Sequence, residues 1–230
     1  MLIDTHTHVP DLSGVDRIIL MSAEAADFKK VLIAAQNNPN IFCTIGIHPD
    51  YVDDIPNYAH LLDNPKVVAV GEIGLEYHYD KAPKKRQIES FQKQLEIARR
   101  ADLPVCVHSR EADNDTLEIL KNARGVMHCF TGGYEFARAM LDRGFYISAS
   151  GIITFKNSGA VREVFAKIPL DRILCETDSP YCAPVPYRGR DATPSMVVEA
   201  VKCLAEIKKV GQVEMERILW DNAKSCFDRL

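Results

Sequence analysis

A chain of 230 residues, 47% apolar and 26% charged, has material for one large core, and barrels of this length commonly form a single domain. Its net charge of −4 and pI of about 6.0 exclude a general polyanion-binding surface, so an anionic substrate would have to be gripped locally. No apolar run approaches the ~18 residues of a membrane span and no basic-then-apolar leader opens the chain. Seven scattered cysteines without a C-x-x-C pair read as reduced, mostly buried thiols, so the expectation is a cytoplasmic protein with no membrane partner.

The first predicted strand, LIDTH (2–6), opens the run MLIDTHTHVP. Residues two apart on a strand share a face, so Asp4, His6 and His8 point one way. The two histidines lie roughly 7 Å apart, near enough to converge on one ion. A second strand, RIILM (17–21), follows after only about ten residues, fewer than a parallel crossover usually needs. Pro10 and Gly14 also oppose a helix there. The first crossover helix is therefore expected to be missing or reduced to a loop, leaving that part of the wall thin.

Helix-like and strand-like stretches then alternate: a helix near 24–37, a strand IFCTIGI (41–47) leading to His48, and a strand VVAVGEIG (67–74) carrying Glu72. The clearest helix, KKRQIESFQKQLEIARRA, places Ile88, Phe91, Leu95 and Ala98 at helical spacing. Strands PVCVH (104–108), GVMHC (125–129), FYISAS (145–150) and RILCE (172–176) alternate with helices near 113–123, 134–143 and 158–167. Helices near 194–209, with Pro194 and Ser195 at its start, and 212–228 close the chain. The strands are mostly continuous apolar runs, as parallel strands covered on both faces should be. Eight of them separated mostly by helices predict an α/β fold, a TIM (β/α)8 barrel forming a single domain over 1–230. A doubly wound sheet would carry a Gly-rich phosphate turn after its first strand, where this chain has DTHTH.

The polar residues fall in a pattern. His6, His8, His48, Glu72, His108, His128 and Asp178 lie at or just past the carboxyl ends of strands, which a barrel gathers at one mouth. Six donors (His6, His8, Glu72, His108, His128 and Asp178) exceed the needs of one four-coordinate ion and suit two divalent cations sharing a bridge. Zinc, manganese, cobalt, iron and magnesium all remain open. His60 reads as a surface residue; His78, in the loop after the fourth strand, stays ambiguous.

The segments DTHTH, GIHP, GEIGLEYHYD, PVCVHSREA, MHCFTGG, SGIITFKNS and ETDSPYCAPVPYRG strongly resemble the TatD family of metal-dependent hydrolases, within the amidohydrolase-like barrels. The match covers nearly the whole chain in the family's order. It implies that His6, His8, Glu72 and Asp178 hold one cation, and that Glu72, His108 and His128 hold a second with Glu72 as bridge. A water or hydroxide between the ions would be the nucleophile and Asp178 its base. The family is associated with divalent-metal-dependent deoxyribonuclease activity, often exonucleolytic, which makes DNA ends or short single-stranded DNA the expected substrate. Three departures touch the rim: Glu76 stands where the family has aspartate, the loop after VPYRG reads RDATP, and the joint after the first strand is short.

For a phosphodiester the mouth also needs anion binders. Arg110 and Arg188 could fork a phosphate, or serve as surface ion pairs. His48 could assist a leaving group or make a structural hydrogen bond, and Tyr181 could stack on a base or pack its loop. Glu76 could orient a ligand. Asp4 is expected to be buried and hydrogen-bonded rather than ligating, and Lys84, Lys85 and Arg86 to form a solvated face, with contact to a substrate backbone as the alternative because basic charge at a helix start is mildly unfavourable. The alternative function on the same barrel is an amidohydrolase or lactonase acting on a small molecule; a non-catalytic interaction protein fits the donor set less well.

Overall fold

The apolar runs become eight parallel strands in a computed structural model, which describes residues 1–52, 55–79 and 81–230. The strands are β1 (Ile3–Thr7), β2 (Arg17–Leu20), β3 (Ile41–Ile45), β4 (Val67–Glu76), β5 (Val105–Arg110), β6 (Gly125–Met127), β7 (Tyr146–Ala149) and β8 (Ile173–Cys175). They pair in chain order, β1 to β8. The seam between β1 and β8 is drawn together mainly by the segment just past β8, because β8 itself is only three residues long. His8 N donates to Ser179 O at 2.8 Å, Asp178 N donates to His6 O at 2.9 Å, and Thr5 Oγ1 donates to Cys175 O at 2.9 Å. The barrel is thus nearly closed, and its closing contacts include the backbone of the residues expected to form the site.

Among the described residues seven α-helices surround the strands: α1 (Phe28–Asn37), α2 (Lys84–Ala101), α3 (Asp113–Ile119), α4 (Tyr134–Leu141), α5 (Gly159–Lys167), α6 (Val197–Lys208) and α7 (Gln212–Cys226). As the short joint predicts, residues 8–16 contain no helix. The joint is not left bare. Gly14, at φ +78°, comes so near the turn before α6 that a Cβ there would lie 3.0 Å from Ser195 Cβ, so this left-handed position needs glycine.

Boundaries shift in a consistent way. β4 and β5 run past Glu72 and His108 to residues 76 and 110, so those two donors sit within strands rather than at their ends. β3 and β6 stop at 45 and 127, leaving His48 and His128 in the loops that follow. The helix expected from 194 begins as a single 3-10 turn over Pro194–Met196, as does the one expected from 24, over Ala25–Asp27.

Core residues sort by strand parity. Ile18 and Leu20 cluster with Phe28 and Val31 of α1 between sheet and helices. Their alternates face the other way: Ile19 and Met21 join Val68, Cys106, Val126 and Leu174 in a second cluster within the barrel, together with Phe227. Arg229 Nη1 donates to Leu62 O at 2.7 Å and Val67 O at 3.0 Å. The C-terminal segment therefore plugs the end where strands begin, opposite the mouth. No described helix is long and apolar enough to cross a membrane.

The α2 stripe named from periodicity packs in or against the core, Phe91 and Ala98 fully and Ile88 and Leu95 in part; Gln87, Ser90 and Gln94 are buried beside Phe91 and Ala98. The buried face takes in these polar side chains because strand-end peptide groups beneath it need polar partners. Gln94 accepts from Ile47 N at 2.8 Å and donates to Ile47 O at 2.9 Å. Gln87 makes the same pair of bonds with Glu76 N and O, at 2.8 and 2.9 Å.

Candidate metal centre

The mouth gathers every donor that the strand-end pattern names. Glu72 lies at its middle, and its two oxygens face different partners. Oε2 is 3.4 Å from His6 Nε2 and 3.7 Å from His8 Nε2. Asp178 Oδ1 completes that lobe, 3.6 and 3.8 Å from the same two nitrogens. Oε1 is 3.0 Å from His108 Nδ1, 2.8 Å from His128 Nε2 and 3.5 Å from His48 Nε2. Close backbone approach allows this crowding: a Cβ on Gly46 would lie 2.6 Å from the Gly71 carbonyl carbon.

Hydrogen bonds on the far side of each ring decide which nitrogen is free to bind. His108 Nε2 meets Glu76 Oε2 at 3.0 Å, which holds one proton there and leaves Nδ1 as the nitrogen facing Glu72, free to bind a cation once it gives up its own proton. His128 Nδ1 meets Glu176 Oε1 at 3.1 Å, which turns Nε2 inward toward Glu72. The two inward nitrogens lie 3.1 Å apart. Each is within hydrogen-bond reach of Glu72 Oε1, and against burial the flanking carboxylates raise the proton affinity of both rings; a cation bound here would take the place of those inward protons. His48 differs: its Nδ1 accepts from Asp50 N at 3.1 Å, so the neutral ring carries its hydrogen on Nε2 and presents a donor, not a ligand.

Electrostatics match a cation site. His6 is buried, with no hydrogen-bond partner at either ring nitrogen among the described residues. Burial, helped by His128, lowers its proton affinity. Burial and neighbouring His6 push His8 down to about 4, and burial does the same to His48. Burial would lift Glu72, but His128 and His48, with hydrogen bonds from His108 and His128, hold it well below the usual carboxylate range. Burial drives the Asp178 carboxyl well above that range, as expected for an acid lacking a counter-charge. Groups of donor atoms within 4.8 Å of one another form around His6, His8 and Glu72, around His6, His128 and Asp178, and around His48, Glu72 and His108. Apart from His48, whose inward nitrogen carries its hydrogen, these residues fit divalent cations, with Glu72 able to bridge. His128 touches both lobes, its ring stacked 4.0 Å from that of His6.

Asp4 sits one layer below. Its Oδ1 accepts from Thr177 N at 2.9 Å and its Oδ2 from Thr177 Oγ1 at 2.5 Å, and burial pushes its carboxyl up to about 8. Glu76 also anchors its own loop, accepting from His78 N at 2.7 Å. Glu176 is the residue the sequence reading did not single out; it lies two residues before Asp178, the spacing that made His6 and His8 conspicuous.

The expected substrate contacts lie outside the donor cluster. The Arg110 guanidinium rests 4.7 Å from the Tyr79 ring and that of Arg188 3.9 Å from the Phe155 ring. Tyr181 is 62% exposed, its ring 6.0 Å from His8. Lys84 lies 4.0 Å over Tyr77 and Lys85 is 3.9 Å from Glu89, on an exposed helix face. His60 is exposed, and His78 pairs with Glu111 at 2.7 Å. Beside the cluster runs a groove of about 610 Å³ lined by Tyr77, Lys84, Ser109, Arg110, Asp113 and Thr131, among others.

Known proteins resemble this chain over nearly its whole length. The family model described as TatD related DNase matches residues 3–228. A metal-dependent hydrolase of Escherichia coli strain K12, YcfH, is 39% identical over 253 aligned positions, covering 98% of this chain and 95% of that protein. Its counterpart YabD of Bacillus subtilis strain 168 is 37% identical over 252 positions, covering 99% of each. Both alignments exceed the 230 residues here, so these relatives carry internal segments that this chain lacks. The crystal structure of YjjV, a TatD homologue from Escherichia coli K12, superposes with a TM-score of 0.91 at 30% identity, covering 99% of this chain and 98% of that one. On these grounds the chain belongs to the TatD-related family of metal-dependent hydrolases.

Proposed function

We propose that this hydrolase cleaves phosphodiester bonds of DNA, at ends or in short single strands, using two divalent cations. The observation that carries the reading is the division of labour at Glu72: one oxygen faces His6, His8 and the Asp178 lobe, the other faces His108 and His128. A shared carboxylate between two donor groups suits an in-line displacement, in which attacking and leaving oxygens both need stabilising. The family model's description as a DNase favours a nucleic-acid substrate.

Bound cations would supply Lewis-acid polarisation of a phosphoryl oxygen and a water of lowered pKa. Asp178, with Oδ1 toward His6 and His8, is placed to take the proton of the attacking water. His48 presents Nε2–H at the other lobe, where it can donate to the leaving oxygen. Arg110 and Lys84 border the groove next to β5, each stacked on a tyrosine ring, and would hold flanking phosphates; Tyr181 would stack on a base. Zinc, manganese, cobalt and magnesium are all compatible with histidine and carboxylate donors.

The test is digestion of end-labelled single- and double-stranded oligonucleotides by chelator-stripped protein reloaded with each cation. Wild type should shorten the strands, and Glu72→Ala should fall by at least about 10³-fold in kcat/KM, the scale of about 4 kcal/mol in transition-state stabilisation. A panel of lactones, esters and amides is run alongside. Turnover of one of those at higher kcat/KM, with oligonucleotides untouched, would replace this reading with the small-molecule hydrolase.

A further inference from the structure

Two thiols stand at the mouth and have no part in the centre described above. Cys129 directly follows His128, and Cys182 lies four residues past Asp178. Both are half-buried, whereas Cys43, Cys106, Cys175 and Cys226 are buried. The Cys129 and Cys182 sulfurs and an Asp178 carboxylate oxygen lie within 4.8 Å of one another. Asp178 is two-sided: Oδ1 faces His6 and His8, while Oδ2 accepts from the Cys182 thiol at 3.6 Å.

The backbone singles out the same three residues. Cys129, Asp178 and Cys182 have φ of 42°, 61° and 52°. Among the described residues only three other non-glycines are left-handed, and two of those, Asp102 and Lys209, cap helices. Left-handed backbone is costly for residues with a Cβ and concentrates where function requires it. Ordinary packing accounts for the thiols less well. Cys129 donates to Ser150 Oγ at 3.1 Å and the two thiols also pair with each other, but neither contact requires a carboxylate oxygen beside them.

We propose that Cys129, Cys182 and the Oδ2 side of Asp178 form a separate site for a thiophilic divalent cation of the zinc and cadmium class. Two thiolates and a carboxylate make a borderline-soft donor set that suits these ions and disfavours magnesium. Binding releases the two thiol protons to solvent and transfers no electrons, so no oxidant is involved. Asp178 would link this site to the His6 and His8 lobe. The site does not depend on which bond the enzyme cleaves.

The experiment titrates cobalt or cadmium into chelator-stripped protein and records the ultraviolet thiolate-to-metal charge-transfer band, which histidine and carboxylate donors do not produce. The band should saturate in wild type, disappear in Cys129→Ser and in Cys182→Ser, and persist in Glu72→Gln. A second measurement uses only the native chain. Cadmium should slow alkylation of Cys129 and Cys182, read by peptide mass spectrometry, by about tenfold or more, because a coordinated thiolate is withheld from the reagent. Cys203 should react at an unchanged rate. No band, a band that survives both serine variants, or unprotected thiols would overturn the site. Loss of the band in Glu72→Gln would merge the thiols into the main centre and equally overturn it.

Discussion

Glu176 is 1% exposed, and its Oε1 both meets His128 Nδ1 and accepts from Cys129 N at 2.7 Å. It fixes the tautomer of His128 and so decides which nitrogen reaches Glu72. Replacing the carboxylate by an amide keeps an oxygen for Cys129 N but removes the charge that strengthens the imidazole as a ligand. Glu176→Gln should therefore lower divalent-cation affinity about 10–100-fold with the fold intact, measured by competition against a chromophoric chelator. Equal affinities would mean that His128 is oriented by its packing on His6 alone. The donors His6 and His8 were legible because their period-2 spacing breaks an apolar strand. Glu176 carries the same signal toward Asp178, but it ends the apolar run RILCE and reads as a strand terminus. Which nitrogen of each ring points inward was not legible, since it depends on Glu76 and Glu176 arriving from other strands.

At the level of elements, α2 shows what periodicity misses. Apolar spacing finds the helix and nearly its full extent, but it assumes that the buried face is the greasy one. Here the helix lies over the ends of β3 and β4, whose peptide groups have run out of ladder partners. Glutamine, with one acceptor and two donors, can satisfy both halves of a peptide unit. Gln94 does this for Ile47 and also accepts from Tyr58 Oη at 2.8 Å. Gln94→Leu would raise the hydrophobicity of the core yet leave three buried groups unpaired, at about 1–3 kcal/mol each before relaxation. The expected cost is about 3 kcal/mol in urea unfolding, more than for Leu95→Ala on the partly exposed neighbouring position. The opposite ranking would show that the apolar stripe, not the amide clamp, docks α2. The missing first helix was legible for the converse reason: chain length and proline placement forbid it whatever the tertiary context.

Over the whole molecule, the two ends of the barrel carry opposite burdens. The end where strands begin is closed by Phe227 among aliphatic side chains, and Phe227→Ala should cost about 3–5 kcal/mol. At the other end Asp4, His6, Glu72, Glu76, His128 and Glu176 are all buried. Such a concentration of desolvated polar groups opposes folding unless opposite charge is supplied. Cations that bind the folded centre should therefore act as stabilisers. At a free concentration of about 100 times Kd one site contributes about 2.7 kcal/mol, roughly 5–10 °C in Tm for a domain of this size. Chelator-stripped protein should melt that much lower than the loaded form, and Glu72→Ala should abolish the difference between them. Phe227→Ala serves as the control: remote from the mouth, it should lower both Tm values and leave their separation nearly unchanged. A cation-induced shift of wild-type size in Glu72→Ala would place the stabilising ion somewhere other than beside that carboxylate.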